Sequence, residues 1–163
     1  MREILEQNRT ARLACSFNDQ PYIVPITFVF DGNDCLYALS AVGRKIKWMR
    51  ENPLVCLELD KIENQYDWTS LVIFGRYQEL PDSPEFRAER DLAHKLLSKY
   101  PMWWQPALDA EHLREEITEK PIYFRIHIED ITGQRDKSRE WDAYLDTPIS
   151  ENTQKNRLWD YGR

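Results

Sequence analysis

Residues 10–40, TARLACSFNDQPYIVPITFVFDGNDCLYALS, contain three apolar segments separated by two short polar turns. In the first, Thr10–Phe17, apolar and polar residues alternate, which predicts a strand with one buried face. The second, Tyr22–Phe30, is apolar on both faces, and the third is Cys35–Ser40. The turns at 18–21 and 31–34 are rich in Asn, Asp and Gly. Because parallel strands need a long crossover, these three segments predict an antiparallel meander.

The rest of the chain continues this β pattern with helices between the strands. Val42–Glu51 predicts a short helix that Asn52-Pro53 ends, and Ser83-Pro84-Glu85 predicts the start of another. Alternating apolar residues predict further strands at Leu54–Ile62, Trp68–Leu80 and Ile122–Ile128. Five or six short antiparallel strands indicate a mainly β fold, a small closed or partly closed barrel.

The strand pattern has two irregularities, and two further segments lie outside it. Gly75 lies within a strand segment, which predicts a bulge or a close backbone approach. Ile131 follows Ile128 by three residues rather than two, which predicts a bulge in the last strand. We expect a second, acidic helix over Asp109–Glu119. With no repeat or linker, residues 1–163 form one domain, with a core at about 9–133 and a C-terminal extension at 134–163.

Composition narrows the class of protein. The 163 residues are 42% hydrophobic and 31% charged, as in a soluble globular domain. The net charge of −6 argues against a nucleic-acid-binding protein. The cysteines, Cys15, Cys35 and Cys56, form no CxxC pair, so we expect neither a zinc site nor a disulfide framework. We expect no signal peptide and no membrane span, and therefore a cytoplasmic protein.

The segment Ser40-Ala41-Val42-Gly43-Arg44-Lys45 joins the third strand to the short helix. Free N–H groups at a helix start, a glycine that permits close approach, a hydroxyl and two adjacent cations together suit a terminal phosphate. Ser40, Gly43, Arg44 and Lys45 are therefore candidate binding residues. The same residues are also compatible with a solvated helix preceded by a flexible turn.

Pro25 lies in the middle of the apolar run Tyr22–Phe30, where a strand paired on both sides would lack one hydrogen-bond donor. Either this is a sheet edge, where a proline blocks aggregation, or something other than a strand lies beside it. A flat heteroaromatic ring that bonds to the backbone of Ile26 and Thr27 would fit the second interpretation.

The aromatic residues and histidines indicate a binding or catalytic site less clearly than the two segments above. Trp68, Trp103 and Trp104 are candidates for the wall of a planar cofactor site, or for ordinary core or dimer contacts. The histidines have no nucleophile or acid partner at a suggestive spacing, so we expect surface positions for all three: His94, His112 and His127. We assign no catalytic residue and no metal ligand.

In order and in sequence, these pieces resemble the pyridoxamine-phosphate-oxidase-like FMN-binding split barrels, particularly the nitroimidazole-reductase-like branch. The similarity runs from about residue 9 to residue 133. It rests on the following segments: Arg12-Leu13-Ala14, Pro21–Val29, Leu36–Lys45, Asn52–Cys56, Trp68-Thr69-Ser70 with Gly75-Arg76, and Lys99-Tyr100-Pro101.

The resemblance implies an antiparallel split β-barrel of the Greek-key type that binds FMN. It places the FMN phosphate at Ser40, Arg44 and Lys45, and the ring along the Pro25–Thr27 backbone. It also implies a homodimer whose sites draw on both chains, with Trp68 and Ser70 as candidate contacts from the second subunit or from neighbouring parts of the same chain.

Two departures from the family bear on activity. Many nitroimidazole-reductase-like sequences carry histidine where this chain has Leu39. The C-terminal Arg/His signature of true pyridoxamine-phosphate oxidases is absent from residues 135–163, which argues against vitamin B6 oxidation. The leading expectation is a flavin-dependent oxidoreductase that passes electrons from NADH or NADPH to a small-molecule acceptor. The alternative is a non-catalytic flavin or haem protein, a carrier or sensor, although Leu39 stands where a haem ligand would be best placed.

Overall fold

Six antiparallel strands close into a barrel in the order β1-β2-β3-β6-β5-β4. The structure is a computed structural model that describes residues 1–100 and 122–137. The strands are β1 Thr10–Phe17, β2 Gln20–Phe30, β3 Cys35–Ser40, β4 Leu54–Asn64, β5 Asp67–Glu79 and β6 Ile122–Lys137. The helices are α1 Arg2–Gln7, α2 Arg44–Glu51 and α3 Arg87–Leu97, with a 3₁₀ turn at Pro84–Phe86 before α3.

The predicted mainly β barrel is confirmed, with strand ends that differ by a few residues. β6 continues to Lys137, so the predicted boundary between core and extension falls inside a strand. Ser83 precedes the 3₁₀ turn but its hydroxyl makes no capping hydrogen bond. The predicted helix Asp109–Glu119, with Trp103, Trp104 and His112, lies outside the described residues.

The β1–β2 connection is a two-residue turn. Asn18 and Asp19 have φ of 48° and 60°, a left-handed conformation that Asn and Asp tolerate better than most residues. Phe17 pairs with Gln20 directly across this turn. The turn therefore fixes the register, and alternate residues of β1 point into the barrel: Ala11, Leu13 and Cys15.

Inward side chains from all six strands fill the barrel. Phe28 of β2, Leu36 of β3, Leu57 of β4, Ile73 of β5 and Phe124 of β6 are all fully buried. They belong to one core cluster, which also holds Ile46 and Met49 from α2. At about 25 cal/mol per Å² of apolar surface removed from water, this cluster is the main source of stability.

α2 connects β3 to β4 and packs against β1. Its apolar residues Ile46 and Met49 are three apart, so one face of the helix docks on the barrel. At its C-terminal end, Arg50 donates two hydrogen bonds to the Glu79 carboxylate, with N–O distances of 2.8 and 2.9 Å. The Asn52 side-chain amide donates to the Ser16 backbone oxygen at 3.2 Å.

The predicted bulge and the predicted close approach at Gly75 are one feature. Phe74 pairs with Asp130 and Gly75 with Ile128, so Glu129 is the extra residue on β6. A Cβ atom on Gly75 would lie 2.6 Å from the His127 carbonyl oxygen and 2.8 Å from Ile126 Cγ2. Glycine is therefore required at this position by packing alone.

Within the described part of the chain, none of the helices has both the length and the apolar character needed to cross a bilayer. All three cysteines are free thiols. The histidines of the described residues are exposed, as predicted: His94 accepts or donates a hydrogen bond at 2.8 Å with the Tyr123 hydroxyl, and His127 contacts Asp34 at 3.0 Å.

Candidate functional site

β2 pairs with β1 along most of its length but with β3 only along its last three residues. Residues 20–27 face β1, from Gln20 opposite Phe17 to Thr27 opposite Thr10. The pairing with β3 covers only Phe28–Phe30. Within residues 1–100 and 122–137, the first two thirds of β2 therefore form an open edge, and this edge is the split in the barrel.

Pro25 lies on the open side of this strand. The Phe28 N–H donates to the Arg9 carbonyl at 2.9 Å, so Phe28 directs its backbone groups toward the β1 side. Because hydrogen-bonding direction alternates along an antiparallel strand, Ile26 also faces β1. The expectation that a ring bonds to the Ile26 backbone is therefore wrong, because β1 already pairs with that backbone. Pro25 and the Thr27 N–H then face the open edge, where the missing Pro25 donor costs no ladder bond. The edge interpretation of Pro25 holds, because no strand of residues 1–100 and 122–137 pairs with this side of β2 at Pro25.

Thr27 carries a polar atom whose position the fold does not explain. Its Oγ1 is buried and has no hydrogen-bond partner among the described residues. A buried hydroxyl without a partner costs on the order of 1–3 kcal/mol. A polar ligand group at the open edge would remove this cost.

The start of α2 lies across the split from this edge. Ser40 is two residues beyond Ala38, the last β3 residue that pairs with β2. Gly43 precedes the helix in an extended conformation, and its carbonyl accepts the Lys47 N–H at 3.1 Å. A glycine offers no side chain to cap the first-turn N–H groups, and these groups carry the positive end of the helix dipole. Ser40 Oγ donates to the Ala41 carbonyl at 2.9 Å, which holds the hydroxyl at this turn.

The two adjacent cations of α2 have different surroundings. Lys45 is half-buried, and desolvation by burial lowers the pKa of its ammonium group. Arg44 is exposed, and its guanidinium carbon lies 5.5 Å from the centre of the Tyr22 ring and 6.0 Å from that of Trp48. A partly desolvated cation gains most from an anionic partner, so an anion would stabilise Lys45 more than the exposed Arg44.

The structure brings seven of the nine predicted site residues to this split: Pro25, Ile26 and Thr27 on β2, Ser40 at the end of β3, and Gly43, Arg44 and Lys45 at the start of α2. Together they present free N–H groups, a hydroxyl and two cations around an open strand edge. We call this group the phosphate cradle and edge, after the ligand that the sequence analysis expects there.

Trp68 and Ser70 lie elsewhere in the chain. On β6, Ser40 pairs with Ile122 whereas Trp68 pairs with Asp136, about 45 Å apart along the strand. Ser70 faces the outside of the barrel, with its Oγ 3.5 Å from Glu58 Oε1. Neither residue joins the cradle within one chain, so any role at the site requires a second subunit.

The chain also matches a known family over most of its length. The sequence profile described as pyridoxamine 5′-phosphate oxidase matches residues 1–135. The chain belongs to this family. An uncharacterized protein from Rhizobium meliloti is 44% identical over 126 residues, which are 76% of this chain and 82% of that protein.

Solved structures of the pyridoxamine 5′-phosphate oxidase family share the fold. A FAD-binding protein from Mesorhizobium loti is 37% identical, with a TM-score of 0.66 over 83% of this chain and 90% of that one. A suggested 5-nitroimidazole antibiotic resistance protein from Bacteroides thetaiotaomicron is 20% identical, with a TM-score of 0.54 over 80% and 79% of the two chains. The second similarity supports the split-barrel fold.

Sequence reasoning missed two features of this site. The first is the orphaned Thr27 hydroxyl, which no sequence pattern could reveal. The second is the aromatic pair Tyr22 and Trp48 beneath Arg44, with ring centres 5.5 Å apart. The spacing of Arg44 and Trp48, four residues apart on one helix, was the available signal for this contact.

A group of potential metal ligands, Asp31, Asp34 and Cys35, lies at the β2–β3 turn, with ligand atoms within 4.8 Å of one another. Asp31 Oδ1 already accepts the N–H groups of Asn33 and Cys35, and Asp34 contacts His127. Burial raises the pKa of the Cys35 thiol to about 12, which makes it a poor ligand at neutral pH. The contacts at this turn therefore explain why these three side chains lie close together.

Proposed function

We propose that this protein binds a flavin at the phosphate cradle and edge and acts as a flavin-dependent oxidoreductase. The FMN unit, which FMN and FAD share, would place its phosphate against Ser40, Gly43, Arg44 and Lys45. Its ring would lie along the open edge at Pro25–Thr27. Membership of the family supports this assignment, as does the Mesorhizobium loti relative, which is described as FAD-binding.

One observation carries the proposal: an open strand edge with an orphaned hydroxyl lies opposite uncapped N–H groups and a half-buried lysine. The Thr27 Oγ1 has no partner among the described residues, and burial depresses the pKa of Lys45. A planar ring with polar edges and a dianionic tail would satisfy both ends together. The free N–H groups, the Thr27 hydroxyl and the Lys45 ammonium group therefore fit a flavin nucleotide.

The chemistry divides between flavin and protein. A bound flavin would accept hydride from NADH or NADPH and pass electrons to a small oxidised acceptor. The chain's own residues would bind and orient it. Lys45 and the first turn of α2 would neutralise the phosphate, and the Thr27 N–H and hydroxyl would hold one polar edge of the ring. The apolar side chains around the split would exclude water.

The proposal includes a homodimer. A row of four cross-strand neighbours on the outer face of the barrel is apolar: Ile23, Ala14, Cys56 and Phe74. Ile23 is 61% exposed and Phe74 is 47% exposed. A second copy packed on this outer row would cover both. It could also bring Trp68 and Ser70 to the partner's cradle, since both lie on the same outer face.

The three unpaired cysteines support a reducing, cytoplasmic location for this dimer.

A second candidate function is a flavin carrier or sensor without turnover. Leu39 favours this alternative, because many sequences of the nitroimidazole-reductase-like branch that this chain resembles carry a histidine at this position. Leu39 is half-buried at the end of β3, opposite Tyr123, next to the cradle residue Ser40. An apolar side chain in that place can neither donate nor accept a proton.

The visible spectrum of the purified protein tests both functions. We expect flavin absorption that bleaches when NADH or NADPH is added without oxygen and returns when an acceptor is added. Flavin colour that never bleaches would assign the carrier function. A protein that binds neither FMN nor FAD would contradict the proposal, and a Soret band would replace flavin with haem.

A further inference from the structure

Three side chains follow one another across the outside of the barrel at the split, one each from β2, β3 and β6. Phe28 and Ala38, the pair nearest the split, lie in the core, so the next residues along their strands, Thr27 and Leu39, face the outside. Leu39 in turn pairs with Tyr123, which packs against a second hydrophobic cluster between the barrel and α3. In order from the open edge, the row is therefore Thr27, Leu39 and Tyr123.

The hydroxyl of Tyr123 is held by a histidine of α3. Its oxygen lies 2.8 Å from Nδ1 of His94, and the two rings meet edge to face with their centres 6.1 Å apart. On the other side of the histidine ring, Nε2 lies 3.5 Å from the Ser98 Oγ, and His94 is exposed. The Tyr123 hydroxyl can therefore exchange protons with water through the histidine ring.

A fixed cation lies on the ring of Tyr123. The guanidinium carbon of Arg90 is 4.7 Å from the centre of that ring, and its Nη1 donates to the Leu80 carbonyl at 2.9 Å. A cation in this position stabilises the negative charge that develops on the ring when the hydroxyl gives up its proton. A hydroxyl, a histidine and a cation gathered on one tyrosine are the parts of a proton donor.

We propose that Tyr123 donates a proton to the acceptor and that His94 positions its hydroxyl and restores its proton. This inference rests on the proposed function, because a flavin ring must first lie along the open edge at Thr27. The core cluster fills the inside of the barrel, so a second reactant reaches that ring from outside, over Leu39 and beside Tyr123. Leu39 supplies an apolar surface there, and the proton that it cannot give comes from the next strand.

Two-electron reduction of the acceptor needs a hydride and a proton. The hydride would come from the reduced flavin, which has taken it from NADH or NADPH, and the proton would pass from the Tyr123 hydroxyl to an oxygen of the acceptor. The phenolate would regain a proton from Nδ1 of His94 while the exposed ring takes one from water at Nε2. The acceptor is therefore a compound, such as a quinone, whose oxygen gains a proton on reduction.

The test uses menadione, a quinone, as the acceptor and Tyr123→Phe as the main variant. Phenylalanine keeps the ring that packs beneath α3 and against Arg90, so flavin affinity and stability to urea should change little. After NADPH has bleached the flavin without oxygen, menadione should restore its colour at least about tenfold more slowly in the variant. Without NADPH, isothermal titration of the oxidised, flavin-loaded variant should give a dissociation constant for menadione about fivefold higher, because one hydrogen bond is lost.

His94→Gln separates the supply of protons from the binding of the acceptor. Glutamine can still form a hydrogen bond with the Tyr123 hydroxyl but cannot pass on a proton. The rate at which saturating menadione restores the colour should therefore fall by about threefold or more, while the dissociation constant of menadione stays unchanged.

The matched controls are Tyr66→Phe and His127→Gln. Tyr66 lies at the turn between β4 and β5, and His127 pairs with Cys35 at the far end of β3 from Ser40. Both controls make the same chemical changes away from the split, so they should alter neither the rate nor the dissociation constant.

Equal rates of colour return in Tyr123→Phe and the unaltered protein would overturn this inference and leave the proposed function intact, because the flavin would still bind and bleach. A loss of flavin affinity in Tyr123→Phe would also overturn it, since the hydroxyl would then belong to the flavin site. So would a bleached, unaltered protein whose colour menadione does not restore. If the protein binds no flavin, or its flavin never bleaches, the proposed function itself fails, and the inference fails with it.

Discussion

The two ends of α2 differ in how fully the fold accounts for their residues. At the C-terminal end, Met49 is buried, Arg50 binds Glu79 and Asn52 binds Ser16. At the N-terminal end, Gly43 has no neighbour that a Cβ atom would meet within 4 Å, and the adjacent cations contact no acidic side chain through a described ion pair. Residues at the C-terminal end support the barrel, whereas those at the N-terminal end belong to the proposed flavin site.

The largest expected effect is on flavin binding when both cations are removed. Arg44→Ala with Lys45→Ala should weaken flavin affinity by about 3 kcal/mol or more, because each charge-assisted contact to phosphate contributes roughly 1.5–3 kcal/mol. Isothermal titration measures this loss. The matched control is Lys47→Ala with Arg87→Ala, which removes the same charge from exposed positions and should leave affinity unchanged. An equal loss of flavin affinity in both double variants would contradict this prediction, because it would show that affinity depends only on the net charge of the protein.

The next effect is on stability at the opposite end of the helix. In Asn52→Ala the hydrogen bonds to the Ser16 backbone oxygen and from the Leu54 N–H are lost. We expect a decrease of about 1–2 kcal/mol in the free energy of unfolding, measured with urea, and no change in flavin affinity. A loss of flavin affinity at constant stability would show that the two ends are not separable in this way.

A smaller, pH-dependent contribution comes from Arg50 and Glu79. The Arg50 hydrogen bonds hold the pKa of Glu79 below its ordinary value of 4.5. The folded pKa is depressed, so the pair stabilises the protein fully above pH 4.5 and loses its contribution as pH falls through the lower folded value. Glu79→Gln should therefore cost up to about 1 kcal/mol at neutral pH, and less below pH 4. Urea unfolding at several pH values measures the difference in stability between the unaltered protein and Glu79→Gln. A difference that grows as pH falls would contradict the role given to the Arg50–Glu79 pair.

The smallest effect on stability is expected for Gly43→Ala. The extended backbone at Gly43 suits alanine, and the added Cβ meets open space. Alanine lowers the entropy of the unfolded chain, which favours folding, but it is a poorer helix N-cap than glycine. The two effects should cancel to within about 0.5 kcal/mol in the free energy of unfolding. Flavin affinity should nevertheless fall, by about tenfold, since the Cβ would occupy the approach of the phosphate. Gly75→Ala is the contrasting variant: its Cβ would meet the His127 carbonyl at 2.6 Å, so stability should fall by about 1–3 kcal/mol.

Much of the fold follows from the sequence, because local chemistry specifies it. The Asn18-Asp19 turn fixes the β1–β2 register, and alternating apolar residues mark the buried faces. The three-residue spacing from Ile128 to Ile131 predicted a bulge, and Gly75 predicted a bulge or a close backbone approach. Both predictions correspond to the same bulge between β5 and β6. These features depend on residues close together in the sequence.

The candidate site was only partly predictable, because it depends on contacts between distant strands. The sequence left Pro25 either at a sheet edge or beside something other than a strand. Which side of β2 is open follows from the register with β1 and from the short pairing with β3. The orphaned hydroxyl of Thr27 and the contact between Arg44 and Tyr22 arise only in the folded chain. The positions of Trp68 and Ser70 on the outer face likewise depend on barrel closure.

A crystal structure of the protein grown with excess flavin would examine the central claim directly. We predict the phosphate of the FMN unit within hydrogen-bonding distance of the backbone N–H groups at Gly43–Lys45, with the ring against Thr27. Flavin seated anywhere else, with the α2 terminus in contact only with water, would contradict the account.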